Sequence, residues 1–276
     1  MKPILNYVYL FNHKFAISAY VFFGCTAAFY LFIFAYRQLK REDVSTRKIL
    51  MISFWLIISF FVGARLLYGI LYIRKIIETP IKLYQIKLVG FALYGGLGGA
   101  FLTWYYICIR YKLDFLVITD GLVPHLGISA AIAKLGCFFN GCCYGVATTM
   151  PWGVAFENAD KSPFKSVFGN NSFTNLLFNS SPILRHPTQL YEVFFAIIST
   201  IIAALLLRKK VKRGITSAVF LIIFSIGRFI SFLFRDFTGA STASNIIRGP
   251  VVYGGIVIFC SLYILKTINK FLTRTP

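Results

Sequence analysis

Seven apolar runs, at about 15–36, 49–73, 88–109, 115–139, 188–207, 214–234 and 250–269, constrain this chain more than any other feature of its sequence. A helix of about 20 apolar residues crosses the hydrocarbon core of a bilayer. Every backbone amide there must be satisfied internally, which leaves helices as the solution for runs of this length. The expected fold is therefore all-α: a polytopic membrane protein with seven transmembrane helices. Composition agrees, since hydrophobic residues make up 58% of the 276 and charged residues only 14%, against roughly 25% in soluble domains. No internal repeat or soluble domain interrupts the pattern, so 1–276 is read as one integral-membrane domain. A polar loop at about 145–187, rich in Asn, Ser, Pro and Phe, separates the fourth and fifth runs. The opening "MKPILNYVYLFNHKF" has too short an apolar core, and no small-residue cleavage pattern, for a signal peptide.

The short loops set an orientation. "RQLKREDVSTRK", "RYK", "RKKVKR" and the tail from Lys266 hold fifteen of the 29 Lys and Arg, and the opposite side holds eleven. The positive-inside rule then places the N-terminus outside, the C-terminus in the cytoplasm and the 145–187 loop outward. A formal net charge of +20 could suit nucleic acid, but the basic residues lie between apolar spans and no nucleic-acid module is present. Anionic lipid headgroups are the partner this distribution fits. The segment "RKIIETPIKLYQIK" reads as a basic interfacial element, broken by Pro80.

Arg65, Lys134 and Arg228 fall inside spans, where a charge costs roughly 3 kcal/mol. Asp120 and Glu192 are acids that lie in or near spans. Three cations outnumber two acids, so the cations are read as lacking full acid partners and as inviting an anionic ligand. A phospholipid phosphate fits a guanidinium fork. "YGGLGGAF" places four glycines in the third span, for close approach of another helix or a lipid chain, beside the hydroxyl of Tyr94.

"CFFNGCCYG", Cys137 to Gly145, gathers three of the six cysteines. Cys-x4-Cys-Cys is not a standard zinc spacing, so no metal is assigned. A reactive thiol at Cys142 or Cys143 and a Cys137–Cys142 disulfide stay open as alternatives. The favoured reading is an unwound turn in which Gly141 and Gly145 break the helix and Asn140 caps it or contacts a ligand. "RHPTQLYE" then enters the fifth span, with Thr188 as a candidate cap and His186, Gln189, Tyr191 and Glu192 as a dense polar set at the membrane boundary.

Together "GARLLYG", "YGGLGGAF", "ITDGLVPHLGISAAIAKLGCFFNGCCYG", "HPTQLYE" and "GRFISFLFRD" resemble the prolipoprotein diacylglyceryl transferases of bacterial inner membranes, over nearly the whole chain. The resemblance implies seven spans in the orientation given above. It also implies transfer of a diacylglyceryl group from phosphatidylglycerol to the lipobox cysteine thiol of a prolipoprotein signal peptide, with release of glycerol-1-phosphate. It implies no cofactor, no metal and no enzyme-bound acyl intermediate. Arg228, Asn140, Gly141 and Gly145 match the family pattern. Lys134 replaces the signature arginine, Cys137 an asparagine, Cys142 a glutamate, Tyr94 a histidine and Phe232 a glutamate. The expected catalytic residues are Arg228, Lys134, Tyr94 and His186; Arg65, Asn140, Gly141, Gly145, Gln189, Tyr191 and Glu192 are expected to bind phosphatidylglycerol. The alternatives are a divergent membrane transferase with an anionic phospholipid donor and another acceptor, and a lipid-binding membrane protein without catalysis.

Overall fold

A computed structural model describes residues 4–10, 13–71, 73, 92–156, 183–236 and 242–272. Within them lie seven helices: α1 (Ala19–Arg41), α2 (Thr46–Leu71), α3 (Leu93–Arg110), α4 (Phe115–Phe139), α5 (Thr188–Arg208), α6 (Ile215–Leu233) and α7 (Thr242–Leu272). All but α3 contain a stretch long and apolar enough to cross a membrane. Large apolar side chains such as Phe29, Leu66, Phe194 and Phe259 point outward. A protein bathed in water does not leave so much apolar surface uncovered. The chain is a multi-pass membrane protein.

Short strands accompany the helices. β1 (Ile4–Leu10) pairs antiparallel with β2 (His13–Ser18), and β3 (Val154–Ala155) with β4 (Leu184–Arg185). The first pair corrects the expected start of the first span. "ILNYVYL" is rich in β-branched and aromatic residues, so the chain up to Ser18 joins a ladder and α1 begins at Ala19. The interfacial segment expected at 74–87, and 157–182 of the long loop, lie outside the described residues.

The chain divides into two compact units, one of 1–31 with 120–276 and one of 32–119. In the second, α2 and α3 meet backbone to backbone. A Cβ on Gly95 would strike the Gly63 carbonyl and one on Gly96 would lie 2.7 Å from the Phe60 ring. Gly95, Gly96 and Gly99 of "YGGLGGAF" therefore serve helix packing, whereas Gly98 faces open space. Arg65, on α2, lies against the Tyr68 ring with its guanidinium 6.0 Å from the centroid. Tyr94, on α3, is exposed.

In the first unit, α4 is the central strut. Ser129 Oγ donates to the Ala27 carbonyl of α1 at 3.0 Å, and Thr200 Oγ1 of α5 donates to the Pro124 carbonyl at 3.2 Å. Val123, Ala203 and Phe220 bury a small core between α4, α5 and α6. Asp120 is buried for a structural reason. Its carboxylate accepts from the Gly214 and Ser217 amides, at 2.6 and 2.8 Å, and from Ser217 Oγ at 2.5 Å. Gly214 precedes α6 at φ 81° and has no side chain to cap it, so an acid from α4 supplies the cap.

Candidate active site

The C-terminal ends of α4 and α6 and the N-terminal end of α5 converge on one carboxylate. Lys134 Nζ lies 2.5 Å from Glu192 Oε2, and Arg228 Nη1 meets the same oxygen. Arg235 Nη1 approaches Oε1 at 4.0 Å. Lys134 and Arg228 are thus not unpaired, which corrects the sequence reading. Asp120 caps α6 and cannot serve them, and Glu192 is shared. One carboxylate faces three cations, so the surplus of positive charge survives in a different form. Glu192 is only 5% exposed and is enclosed by basic groups, which suits a tie between cations better than direct contact with phosphate.

Arg228 is aimed by a second helix. Its Nε donates to Tyr253 Oη of α7 at 3.0 Å, and its guanidinium lies 5.5 Å from the Tyr253 ring centroid. Phe232, one turn on, packs toward α7 where a Cβ on Gly249 would lie 2.6 Å from its ring. Neither Tyr253 nor Arg235 is among the site residues expected from the sequence. Arg235 stands seven residues after Arg228, just past the end of α6, and that spacing was the available signal.

The turn after α4 is built on Gly141. The Gly141 amide donates to the Phe138 carbonyl at 3.1 Å and the Cys142 amide to the Cys137 carbonyl at 3.1 Å, with Gly141 at φ 67°. This is a Schellman ending, in which a left-handed residue closes the helix. Asn140 is its C-cap residue, and Cys142 Sγ donates to the Cys137 carbonyl at 3.6 Å. Cys143 is also left-handed, at φ 64°, which costs about 1–2 kcal/mol for a residue with a Cβ.

Buried polar groups on α5 hold that conformation. Thr188 Oγ1 donates to the Cys143 carbonyl and Gln189 Nε2 to the Cys142 carbonyl, both at 2.6 Å. Thr188 therefore does not cap its own helix; Pro187 occupies that position, and the hydroxyl turns to the neighbouring loop. Gln189 Oε1 is buried with no hydrogen-bond partner among the described residues. Gly145 permits the next close approach. Its amide donates to the His186 carbonyl at 2.8 Å, and a Cβ there would collide with the Phe234 carbonyl.

His186 Nδ1 is 2.9 Å from Tyr191 Oη, which also accepts from Trp152 Nε1 at 2.9 Å. The indole can only donate, and the phenol oxygen has a second lone pair for the His186 Nδ1 proton, the tautomer in which Nε2 is unprotonated. Arg185 pairs with Asp236 at 2.5 Å and lies over the Tyr144 ring. The sulfur atoms of Cys137, Cys142 and Cys143 lie within 4.8 Å of one another and are free thiols. Hydrogen bonds from Cys137 and Cys142, aided by the Arg235 and Lys134 charges, pull the Cys143 thiol far below its ordinary range.

The sequence profile described as prolipoprotein diacylglyceryl transferase matches residues 8–264. The chain belongs to the prolipoprotein diacylglyceryl transferase family. Among proteins named phosphatidylglycerol–prolipoprotein diacylglyceryl transferase, it is 30% identical to that of Clostridium tetani over 231 residues, covering 83% of this chain and 84% of the relative. It is 30% identical to that of Rickettsia bellii over 230 residues, covering 79% and 78%. The Serratia proteamaculans protein is 29% identical over 213 residues, with 74% and 73% covered.

Proposed function

We propose that this chain transfers the diacylglyceryl group of phosphatidylglycerol to the lipobox cysteine of a prolipoprotein signal peptide, in a bacterial inner membrane, and that the cluster around Glu192 receives the lipid phosphate. The acceptor sulfur attacks the glyceryl carbon that bears the phosphate. A C–S bond forms, the C–O bond breaks, and glycerol-1-phosphate leaves with the electron pair. The phosphate gains charge as the bond breaks. Preorganised cations beside it therefore stabilise the transition state more than the bound lipid. Family membership supports the reaction, and the three-to-one ratio of cations to carboxylate supports the place.

Roles follow from the contacts. Arg228, braced by Tyr253, and Lys134 take the phosphate oxygens, and Arg235 completes the positive rim. Lys134 offers a point charge where a guanidinium would offer two parallel bonds. Glu192 holds the cations in position. Gln189 Oε1 is an acceptor suited to a headgroup hydroxyl. Asn140, Gly141 and Gly145 shape the turn beside the headgroup, and Arg65 is retained as a lipid contact. Of the two candidate proton acceptors, His186 is preferred to Tyr94, because an imidazole accepts a proton near neutral pH and a phenol does not. Tyr191 orients His186 and leaves Nε2 for the acceptor. Seven spans with an outer N-terminus and a cytoplasmic C-terminus complete the arrangement.

Complementation tests the function. In cells depleted of their own transferase, this chain should restore diacylglyceryl-modified lipoproteins, detected by intact mass. Unmodified lipoproteins with the chain present in the membrane would refute the assignment.

A further inference from the structure

Nothing in the transfer reaction as described uses the three thiols beside the cation cluster. Thiolates around an ion with metal–sulfur distances of about 2.3 Å stand about 4 Å apart. Sulfur atoms already within 4.8 Å of one another need only a small contraction to reach that geometry.

The cluster is held in place. Cys143 keeps an unfavourable left-handed backbone, and Thr188 and Gln189, each 1% exposed, bond the Cys143 and Cys142 carbonyls. A strained residue fixed by buried polar side chains is a pattern that recurs at functional sites. Cys137 is buried, whereas Cys142 and Cys143 are half-buried, so the trio is enclosed on one side and accessible on the other. Three protein ligands with one open side is the arrangement of a catalytic zinc site; structural sites close with four.

We propose that Cys137, Cys142 and Cys143 bind a thiophilic ion of the Zn2+ class as three thiolates, and that its open position takes the acceptor cysteine. This rests on the transfer reading above. Soft sulfur ligands select such ions. A thiol that coordinates the ion loses its proton. The proton leaves to solvent or His186, the metal-bound sulfur attacks the glyceryl carbon, and glycerol-1-phosphate departs. The product is a thioether, a weaker ligand than a thiolate, so it dissociates and reopens the position. No oxidant or reductant is consumed.

Full-length protein in detergent, stripped by chelator under reducing conditions, provides the test. Cd2+ titration should give a sulfur-to-cadmium charge-transfer band that saturates at one ion per chain and is displaced by Zn2+. Zn2+ should protect three cysteines from maleimide, counted by mass. Transfer from phosphatidylglycerol to a lipobox peptide should fall about tenfold on stripping and recover with Zn2+, because a free thiol is only a few per cent ionised at neutral pH. Cys143→Ser should lose the cadmium band; if that variant does not fold, the wild-type titration and maleimide count decide. Absence of the band with thiols intact, or transfer unchanged by stripping, overturns the proposal and leaves the transferase reading standing. One bound Cd2+ in a protein that forms no thioether under any condition would instead overturn the transferase reading.

Discussion

Glu192 has Lys134, Arg228 and Arg235 around a single buried carboxylate, so its charge can be removed without much change of shape. Glu192→Gln leaves three basic groups facing one another in a poorly solvated site. Breaking one partner of a buried pair typically costs about 3–5 kcal/mol. Urea or thermal unfolding in detergent should show that loss, and an unshifted midpoint would mean that the carboxylate does not organise the cluster. Part of this was legible in the residues themselves. Arg228, Lys134 and Glu192 each stood out as charges in apolar runs. Their convergence did not, because no local pattern tells which of several buried acids serves which cation. Asp120 and Glu192 looked equivalent in the sequence, yet one caps a helix and the other ties the site.

The elements were readable where periodicity and length carried the information, and less so at their ends. α4 and α5 begin where their apolar runs begin, and α5 ends within a residue of its run. α1 starts later than its run because β2 claims the residues before Ala19. The Thr188 hydroxyl was expected to cap α5, but it is drawn to the Cys143 carbonyl by a left-handed turn that only the folded loop creates. The three sulfurs are likewise brought together by the Schellman ending at Gly141, which reverses the chain so that Cys-x4-Cys-Cys becomes compact. At this scale the remote cap is the sharpest test. Asp120→Ala should leave the Gly214 and Ser217 amides without their acceptor and cost about 2 kcal/mol. Hydrogen exchange should quicken in the first turn of α6; unchanged protection there would show that Asp120 does not hold that helix end.

For the whole molecule, the loop charges predict which ends face which side. The turns at 42–45 and 209–214 lie in the Lys/Arg-rich set expected to be cytoplasmic, whereas 146–152 belongs to the loop expected to face outward. In a cysteine-free background that still inserts, a new cysteine at Thr149 should react with an impermeant maleimide in intact spheroplasts. One at Glu42 should react only after lysis. The reverse labelling would invert the topology and place the cation cluster at the wrong face for an exported acceptor.

The most direct measurement is transfer by purified protein, with both products followed by mass spectrometry. With phosphatidylglycerol and a lipobox peptide, the wild type should yield a diacylglyceryl thioether and glycerol-1-phosphate in equal amounts. Arg228→Ala, folded and inserted, should be slower by about 100-fold or more, as expected when a charge-stabilising donor is lost. Equal rates in the two proteins would show that the cations gathered on Glu192 do not stabilise the departing phosphate.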